Sequence, residues 1–396
     1  MFENLENNNI QTFEIKGAKI KIIGVGGGGS NAVNQIYSSQ EAKNAEFYVM
    51  NTDHQALDAS PVPNKITLGP TITKGLGAGA VPEVAKKAAE ESEKEIKAVV
   101  EGADLVFITA GMGGGTGSGA SPIVAKAAKE AGALVVAIVT TPFTFEGGAR
   151  NLTAKESMDK LREEVDSIII VSNDRLAAEL GGVSFSKAFE YADLILKQAV
   201  ITIADIISTT SIINLDFADV KTVLKDQGLA LIGTADAEGD AAAIDAALKA
   251  INSPILESSI EGAKKAIVMV MGSERSLTIE KANEAIQTIR EAANSEIEVI
   301  FGVRIDDALG DKVLVSVIAT GLEKVKANNV VEEINQSPLS LTQEIDINVY
   351  KNGGIDPVVK VQDTSDTQEK VFESLSLLDD DLNDNDDDDD ISSILK

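Results

Sequence analysis

The 396-residue chain has no cysteine, no tryptophan and a single histidine, His54. Without cysteine there is no disulfide, no thiolate metal site and no cysteine nucleophile. One histidine rules out His-rich metal sites and leaves little room for a Ser-His-Asp triad. Any hydrolysis must therefore use carboxylates, backbone dipoles, water or a metal. No Gly-x-x-x-x-Gly-Lys-Ser/Thr string occurs, so the chain is not a P-loop enzyme. No apolar run reaches the roughly 18 residues of a membrane span, and Met1–Gln11 has neither the basic start nor the apolar centre of a secretory signal. With cysteine also absent, the expected location is the cytoplasm. Positive charge is scarce: 35 Lys and Arg stand against 63 Asp and Glu, a net charge of −28. Such a surface argues against nucleic acid, or an anionic membrane, as a direct partner. Half of this charge lies in the last sixth of the chain, where Glu332–Lys396 holds 18 acidic and 4 basic residues.

The length suits two or three domains. After a polar arm, 1–17, apolar runs rich in β-branched residues alternate with helix-like stretches. The runs are Ala18–Val25, Ala45–Asn51, Asp104–Gly111, Ala133–Pro142 and Ser167–Asn173. The helical candidates are Ser30–Ser39, Pro82–Val100, Ala120–Ala131 and Leu152–Val165. Strands without polar alternation, each followed by a helix, predict a parallel sheet covered on both faces, with ligands at the carboxyl ends of its strands. Ser184–Ser208 reads as a long helix, apolar nearly all round, and is expected to be buried between two domains. Strands at Ala266–Gly272, Glu296–Arg304 and Lys312–Ala319 and a helix at Ile279–Ala293 predict a second, smaller unit. The expected fold is thus α/β: a parallel Rossmann-like nucleotide-binding sheet, a long central helix, a smaller α/β domain and a disordered acidic tail. We divide it as 18–183, 184–223, 224–330, an acidic linker 331–389 and a terminal peptide 390–396.

The stretch Gly113-Gly-Gly-Thr-Gly-Ser-Gly119 carries the most information. Five glycines in seven residues remove every large side chain, so backbone N–H groups can close on an anion at the start of the following helix. Thr116 and Ser118 add hydroxyl donors. Gly24-Val-Gly-Gly-Gly-Gly-Ser-Asn31 follows the first strand and contains Gly24-x-Gly26-x-x-Gly29, a weak dinucleotide fingerprint with Asp53 some two dozen residues beyond it. Two strand-ending glycine loops on one sheet edge favour a nucleoside di- or triphosphate over a dinucleotide. Asn51-Thr-Asp53 could reach ribose or phosphate, or be only a strand-ending Asx turn. His54 reads as a polar loop residue. Lys74-Gly-Leu-Gly-Ala-Gly79, ahead of Pro82, could close over a terminal phosphate or be a flexible connector. In Asn214-Leu-Asp-Phe-Ala-Asp219 the two carboxylates are three residues apart. They could polarise water for attack on a phosphate, or be a helix N-cap and a first-turn acid. The long helix would carry them far from the glycine loops, so they could serve the same site only from a second subunit.

These strings, in this order, resemble the tubulin/FtsZ family of GTPases and its bacterial cell-division members. Besides the loops above, Thr141-Pro-Phe-Thr-Phe-Glu-Gly-Gly-Ala-Arg150, Phe301-Gly-Val-Arg-Ile-Asp306 and Val317-Ile-Ala-Thr-Gly-Leu322 match family motifs, and the likeness runs from about Ala18 to Leu322. The resemblance implies roles by position. Gly26, Gly27, Gly28 and Asn31 would contact the phosphates. Gly113, Gly114, Gly115, Thr116 and Gly117 would form the main cradle, with Ala78 and Gly79 at the γ-phosphate. Glu146 and Arg150 would meet ribose and phosphate, Asn173 and Asp193 would read the guanine edge, and Phe189 would stack on the base. Asn214, Asp216 and Asp219 would insert into the nucleotide site of the next subunit.

The resemblance also implies GTP and GDP as substrate and product, Mg²⁺ between the β- and γ-phosphates, and head-to-tail filaments at a mid-cell division site. Membrane-tethering and regulatory division proteins would bind 390–396. The sequence departs from the family at Val81, often Asn, and in Asp390-Ile-Ser-Ser-Ile-Leu-Lys396, where Ser392 replaces Pro and Ile394 replaces Phe. Two alternatives remain open: a filament protein or paralogue with little turnover, and a nicotinamide or flavin oxidoreductase.

Overall fold

The computed structural model describes residues 17–42, 44–208, 211–252, 259–294 and 296–322. The arm up to residue 16, the linker 331–389 and the peptide 390–396 lie outside the described residues.

The first half alternates strands and helices. β1 (Ile20–Val25), α1 (Gly26–Ser39), β2 (Ala45–Asn51), α2 (His54–Asp58), β3 (Asn64–Thr67) and α3 (Pro70–Thr73) are followed by α4 (Pro82–Glu91) and α5 (Glu93–Val100). Then come β4 (Leu105–Gly111), α6 (Thr116–Glu130), β5 (Leu134–Thr141), α7 (Gly148–Glu164), β6 (Ser167–Ser172) and α8 (Asn173–Leu180). The long α9 (Phe185–Ser208) and α10 (Phe217–Leu224) lead to β7 (Gly228–Glu238), α11 (Ala242–Ile251), β8 (Lys265–Gly272), α12 (Ile279–Ala293), β9 (Glu298–Ile305) and β10 (Lys312–Thr320).

The ten strands among the described residues form one sheet in the order β3-β2-β1-β4-β5-β6-β7-β10-β8-β9. From β3 to β6 every pair is parallel. β1 and β6 are buried along their whole length, because helices cover both faces. Successive side chains of β1 feed opposite cores: Ile22 packs with α1 and α9, while Ile23 packs with α5 and α6. β7 joins β6 through a short parallel register, Ser167–Ile169 against Gly228–Ala230. β10 is antiparallel to both β7 and β8. α11 and α12 cover one face of this second half, and α9 and α10 the other.

The expected helix Pro82–Val100 is two helices. They part at Ser92, whose hydroxyl accepts from Gly69 N (3.0 Å) and donates to Thr67 O (3.4 Å), a side-chain to backbone alternative that competes with helix continuation. The long helix also departs from the expectation of burial all round. Leu196 and the run Ala199–Ala204 are buried, but Phe185, Phe189, Tyr191 and Leu194 are exposed, because the first turns of α9 lie at the mouth of a cleft instead of in the core. No described helix is long and apolar enough to cross a membrane.

Candidate functional site

The strand order reverses between β1 and β4, and the loops that leave these two strands are the two glycine stretches. Ligands bind at such a switch point in parallel sheets. Both helices begin earlier than their hydrophobic patterns predict. α1 starts at Gly26 and α6 at Thr116, so glycines form the first turns. Neither has an acidic residue in its first turn or a side-chain cap at its N-terminus. The first N–H groups of each helix are therefore free for an anion, and the two helix dipoles add positive potential at one place.

A cleft of about 340 Å³ opens there. Gly27, Gly28 and Asn31 line it from the first loop, and Gly114, Gly115, Thr116 and Gly117 from the second. Gly26 lies beneath the surface at φ +73°, where a Cβ would sit 2.8 Å from Gly117 N, so it lets the two loops touch. Gly113 does not line the cleft. Its N–H donates to Ser118 Oγ (2.9 Å), and its φ of +90° turns the chain into the cradle. Ala78 packs beneath the cradle, since a Cβ on Gly115 would meet its methyl at 2.9 Å; neither Ala78 nor Gly79 lines the cleft.

The opposite wall holds Glu146, Arg150, Asn173, Phe189 and Asp193. Arg150 is paired with Glu146, which also accepts from Phe143 N (2.9 Å). Thr144 is held by Asp174 through its N–H and its hydroxyl, both at 2.6 Å, which fixes the loop bearing Glu146. Phe189 stands edge-on to Phe143 (5.0 Å), and Phe145 stacks on Phe143 (4.9 Å). Asn173 is buried, and its side-chain oxygen meets no donor among the described residues, an acceptor suited to a ligand N–H. Burial, reinforced by the nearby charge of Glu190, pushes the Asp193 carboxyl up to about 7.

That shift gives a signed expectation. The empty protein favours neutral Asp193, so this group's contribution to stability falls as pH rises from the usual carboxylate range through about 7. A ligand that donates two N–H groups to the carboxylate favours the charged form, so its affinity rises over the same window. Titrating GDP between about pH 5.5 and 8.5, alongside the thermal midpoint of the nucleotide-free protein, should show these opposite trends. A pH-independent affinity would remove Asp193 from the base-reading role.

Met112, Thr140, Thr141 and Pro142 also line the cleft. Met112 and Thr140 escaped sequence reasoning because they belong to or follow apolar strands, and only their place at carboxyl ends marks them; Thr141 and Pro142 open the motif that ends at Arg150. Asn51, Thr52 and Asp53 do not line it. Asn51 Oδ1 accepts from Asp53 N (3.2 Å), and Asp53 caps α2 through Gln55 N and Ala56 N, which is the Asx-turn alternative.

Asn214, Asp216 and Asp219 sit elsewhere. Asp193 lies near one end of α9 and the acidic loop follows the other, and about 22 Å of helix separates Asp193 from Ser208 at 1.5 Å per residue. Asp216 and Asp219 cap α10 reciprocally: Asp219 N donates to Asp216 Oδ1 (2.9 Å) and Asp216 N to Asp219 Oδ2 (3.0 Å). Ser211 N donates to Asn214 Oδ1 (3.3 Å), and Ile212 and Ile213 are tied to Val303 of β9. Beside this loop lies an apolar cleft of about 500 Å³, lined by Ile212, Ile213, Ile279 and Phe301 among others. Ile279 is 92% exposed there.

Comparison with known proteins adds three findings. Residues 19–181 match the GTPase domain of the tubulin/FtsZ family, and residues 228–323 match the C-terminal domain of the FtsZ family. The cell division protein FtsZ of Mycoplasmopsis pulmonis (strain UAB CTIP) is 51% identical over 348 residues, which cover 87% of this chain and 88% of that protein. Among solved structures, an empty FtsZ dimer from M. jannaschii superimposes with a TM-score of 0.72 at 38% identity, covering 78% of this chain and 89% of that one. A GTPγS-bound protofilament of CetZ2 from Haloferax volcanii, at 22% identity, shares the fold with a TM-score of 0.69, over 80% of this chain and 96% of that one.

Proposed function

The chain belongs to the tubulin/FtsZ family of cell-division GTPases, and from that premise we propose that it hydrolyses GTP across a head-to-tail contact between two copies. It is a GTP-binding, filament-forming enzyme of that family, and not the dinucleotide oxidoreductase that Gly24-x-Gly26-x-x-Gly29 alone would allow.

The observation that carries the shared site is the separation of parts. Among the described residues the cleft between the glycine loops has no carboxylate beside the cradle, only Glu146 and Asp193 on the opposite wall. The acids of the second loop, Asp216 and Asp219, which also cap α10, stand beyond the far end of α9 next to an apolar cleft. Apolar surface also flanks the nucleotide face, where Phe145 and Phe185 are exposed and packed edge to face at 5.0 Å. Two unlike faces that each carry part of a site build an open filament when they mate.

In this reading Gly27, Gly28, Asn31, Gly114–Gly117 and the two helix N-termini hold the polyphosphate, with Gly26 and Gly113 shaping the loops that carry them. Ala78 and Gly79 take the family's γ-phosphate position by sequence, and Ala78 supports the cradle from beneath Gly115. Glu146 and Arg150 meet ribose and phosphate. Asn173 and Asp193 accept from guanine, which rejects adenine, and Phe189 stacks on the base. Asn214, Asp216 and Asp219 of the next subunit orient and activate the attacking water. Catalysis is positioning plus electrostatics, with no covalent intermediate.

Mg²⁺ fits this donor set. Among the described residues no group of three metal-binding side chains occurs, and the neutral oxygen of Asn31 beside the cradle suits an ion that arrives on phosphate oxygens with its own water. Bound there, it would neutralise charge between the β- and γ-phosphates. The remaining assignments follow the family: domains 18–183, 184–223 and 224–330, a place in the cytoplasm at the mid-cell division site, and capture of tethering and regulatory proteins by 390–396.

Measuring phosphate release from GTP against protein concentration, with sedimentation alongside, tests the shared site. Specific activity should rise steeply with concentration and track the polymer. Activity that stays flat down to nanomolar protein would sink the proposal, and polymer without sustained phosphate release would favour the low-turnover filament.

A further inference from the structure

Thr52 is fully buried at the end of β2, and its hydroxyl lies 2.7 Å from the hydroxyl of Thr116 in the glycine cradle. Either oxygen can donate by geometry. Their surroundings decide between them. Thr116 faces the cleft, where water or a ligand oxygen can take its proton. Thr52 Oγ1 has Thr116 as its one side-chain partner among the described residues. If Thr116 donated to Thr52, the proton of Thr52 would be shut in without an acceptor, which is the costly arrangement for a buried group.

From this we infer that Thr52 is a positioning residue for phosphate binding: its hydroxyl donates to Thr116 Oγ1 and so leaves the Thr116 proton for a phosphate oxygen. The inference rests on the reading above, in which Thr116 touches phosphate. It deepens that reading by fixing the direction of a hydrogen bond, and a charged acceptor makes that direction matter. The same residue also anchors the neighbouring loop. Thr52 O accepts from Gly77 N (3.1 Å) and from Thr73 Oγ1 (3.3 Å), and Asp53 bridges to Leu76. The loop so held ends at Ala78, beneath Gly115 of the cradle. One threonine thus ties its carbonyl to the loop at 74–79 and its hydroxyl to the loop at 113–119.

The test is a double-mutant cycle on the full chain, read as affinity for GTPγS, with the thermal midpoint of the nucleotide-free protein measured in parallel. Thr116→Val and Thr52→Val should each weaken GTPγS about tenfold, in line with one hydrogen bond to a charged group. The double variant should bind no more weakly than Thr116→Val alone, because the Thr52 proton matters only through Thr116. Thr52→Ser, which keeps the donor, should bind like the parent. Should Thr52→Val fail to fold, Thr52→Cys keeps the size, gives up the strong donor and takes its place. Parent-like affinity in Thr52→Val, losses that multiply in the double variant, or a Thr52→Ser as weak as Thr52→Val would each overturn the inference. If Thr116→Val itself binds GTPγS like the parent, the cradle reading fails first and takes this one with it.

Discussion

Asp219→Asn should still bind GTP and form sedimentable polymer, yet release phosphate at least roughly tenfold more slowly, a cautious figure against the ~10²–10⁴-fold typical of positioned acid–base groups. Asparagine is the informative substitution because Asp219 has two jobs. Its carboxylate accepts from Asp216 N and so closes half of the cap on α10. Alanine would remove the cap as well as the acid, at a cost of about 1 kcal/mol. Asparagine keeps an oxygen for Asp216 N and removes only the charge and the basicity. Phosphate release at saturating GTP, above the assembly threshold, reads the effect. Parent-like turnover would take Asp219 out of the mechanism.

A second pair of variants separates the space for the ligand from the space the fold needs. A Cβ on Gly117 would lie 2.4 Å from Gly111 O, a contact with backbone that cannot swing away. Gly117→Ala should therefore lose about 1–3 kcal/mol of stability as well as nucleotide affinity. A Cβ on Gly114 meets nothing within 4 Å, and its φ is unexceptional. Gly114→Ala should melt like the parent without nucleotide but bind GDP at least roughly tenfold more weakly, because the methyl fills volume reserved for phosphate and turns away the N–H groups around it. Thermal unfolding and GDP titration give the two numbers; undiminished GDP binding by Gly114→Ala would move the phosphate elsewhere. The two predictions also combine. A mixture of Gly114→Ala and Asp219→Asn pairs an intact cleft on one chain with intact acids on the other, and should hydrolyse GTP faster than either alone.

Much of this was legible in the sequence because the parallel strands announce themselves. Ala45–Asn51 is a strand with those bounds, and Ile279–Ala293 a helix with those bounds. What escaped had a physical reason. α11 packs through Ala242, Ala243, Ala246, Ala247 and Ala250, a core face too small to register as a hydrophobic stripe. β7, beside it, ends in Asp236 and Glu238, which blur its apolar start. The hydrophobic pattern places the starts of α1 and α6 too late because glycine is a poor helix former, yet the glycines are in the first turns, where the N–H groups are wanted. At the site, Gly27, Gly28, Asn31, Thr116, Asn173 and Asp193 line one cleft. The hydroxyl contacts of Thr52 and Ser118 join residues far apart in sequence or turned inward, and no spacing rule finds them.

The length of α9 has a consequence for whole polymers. If one end of each molecule supplies the pocket and the other the acids, a filament always holds one fewer completed site than it holds nucleotides. At one tip a loaded pocket waits with no acids over it; at the other, acids point into solvent with nothing to act on. The two tips are then chemically unlike, whatever the filament's length. On that premise the nucleotide at the open pocket outlives those inside.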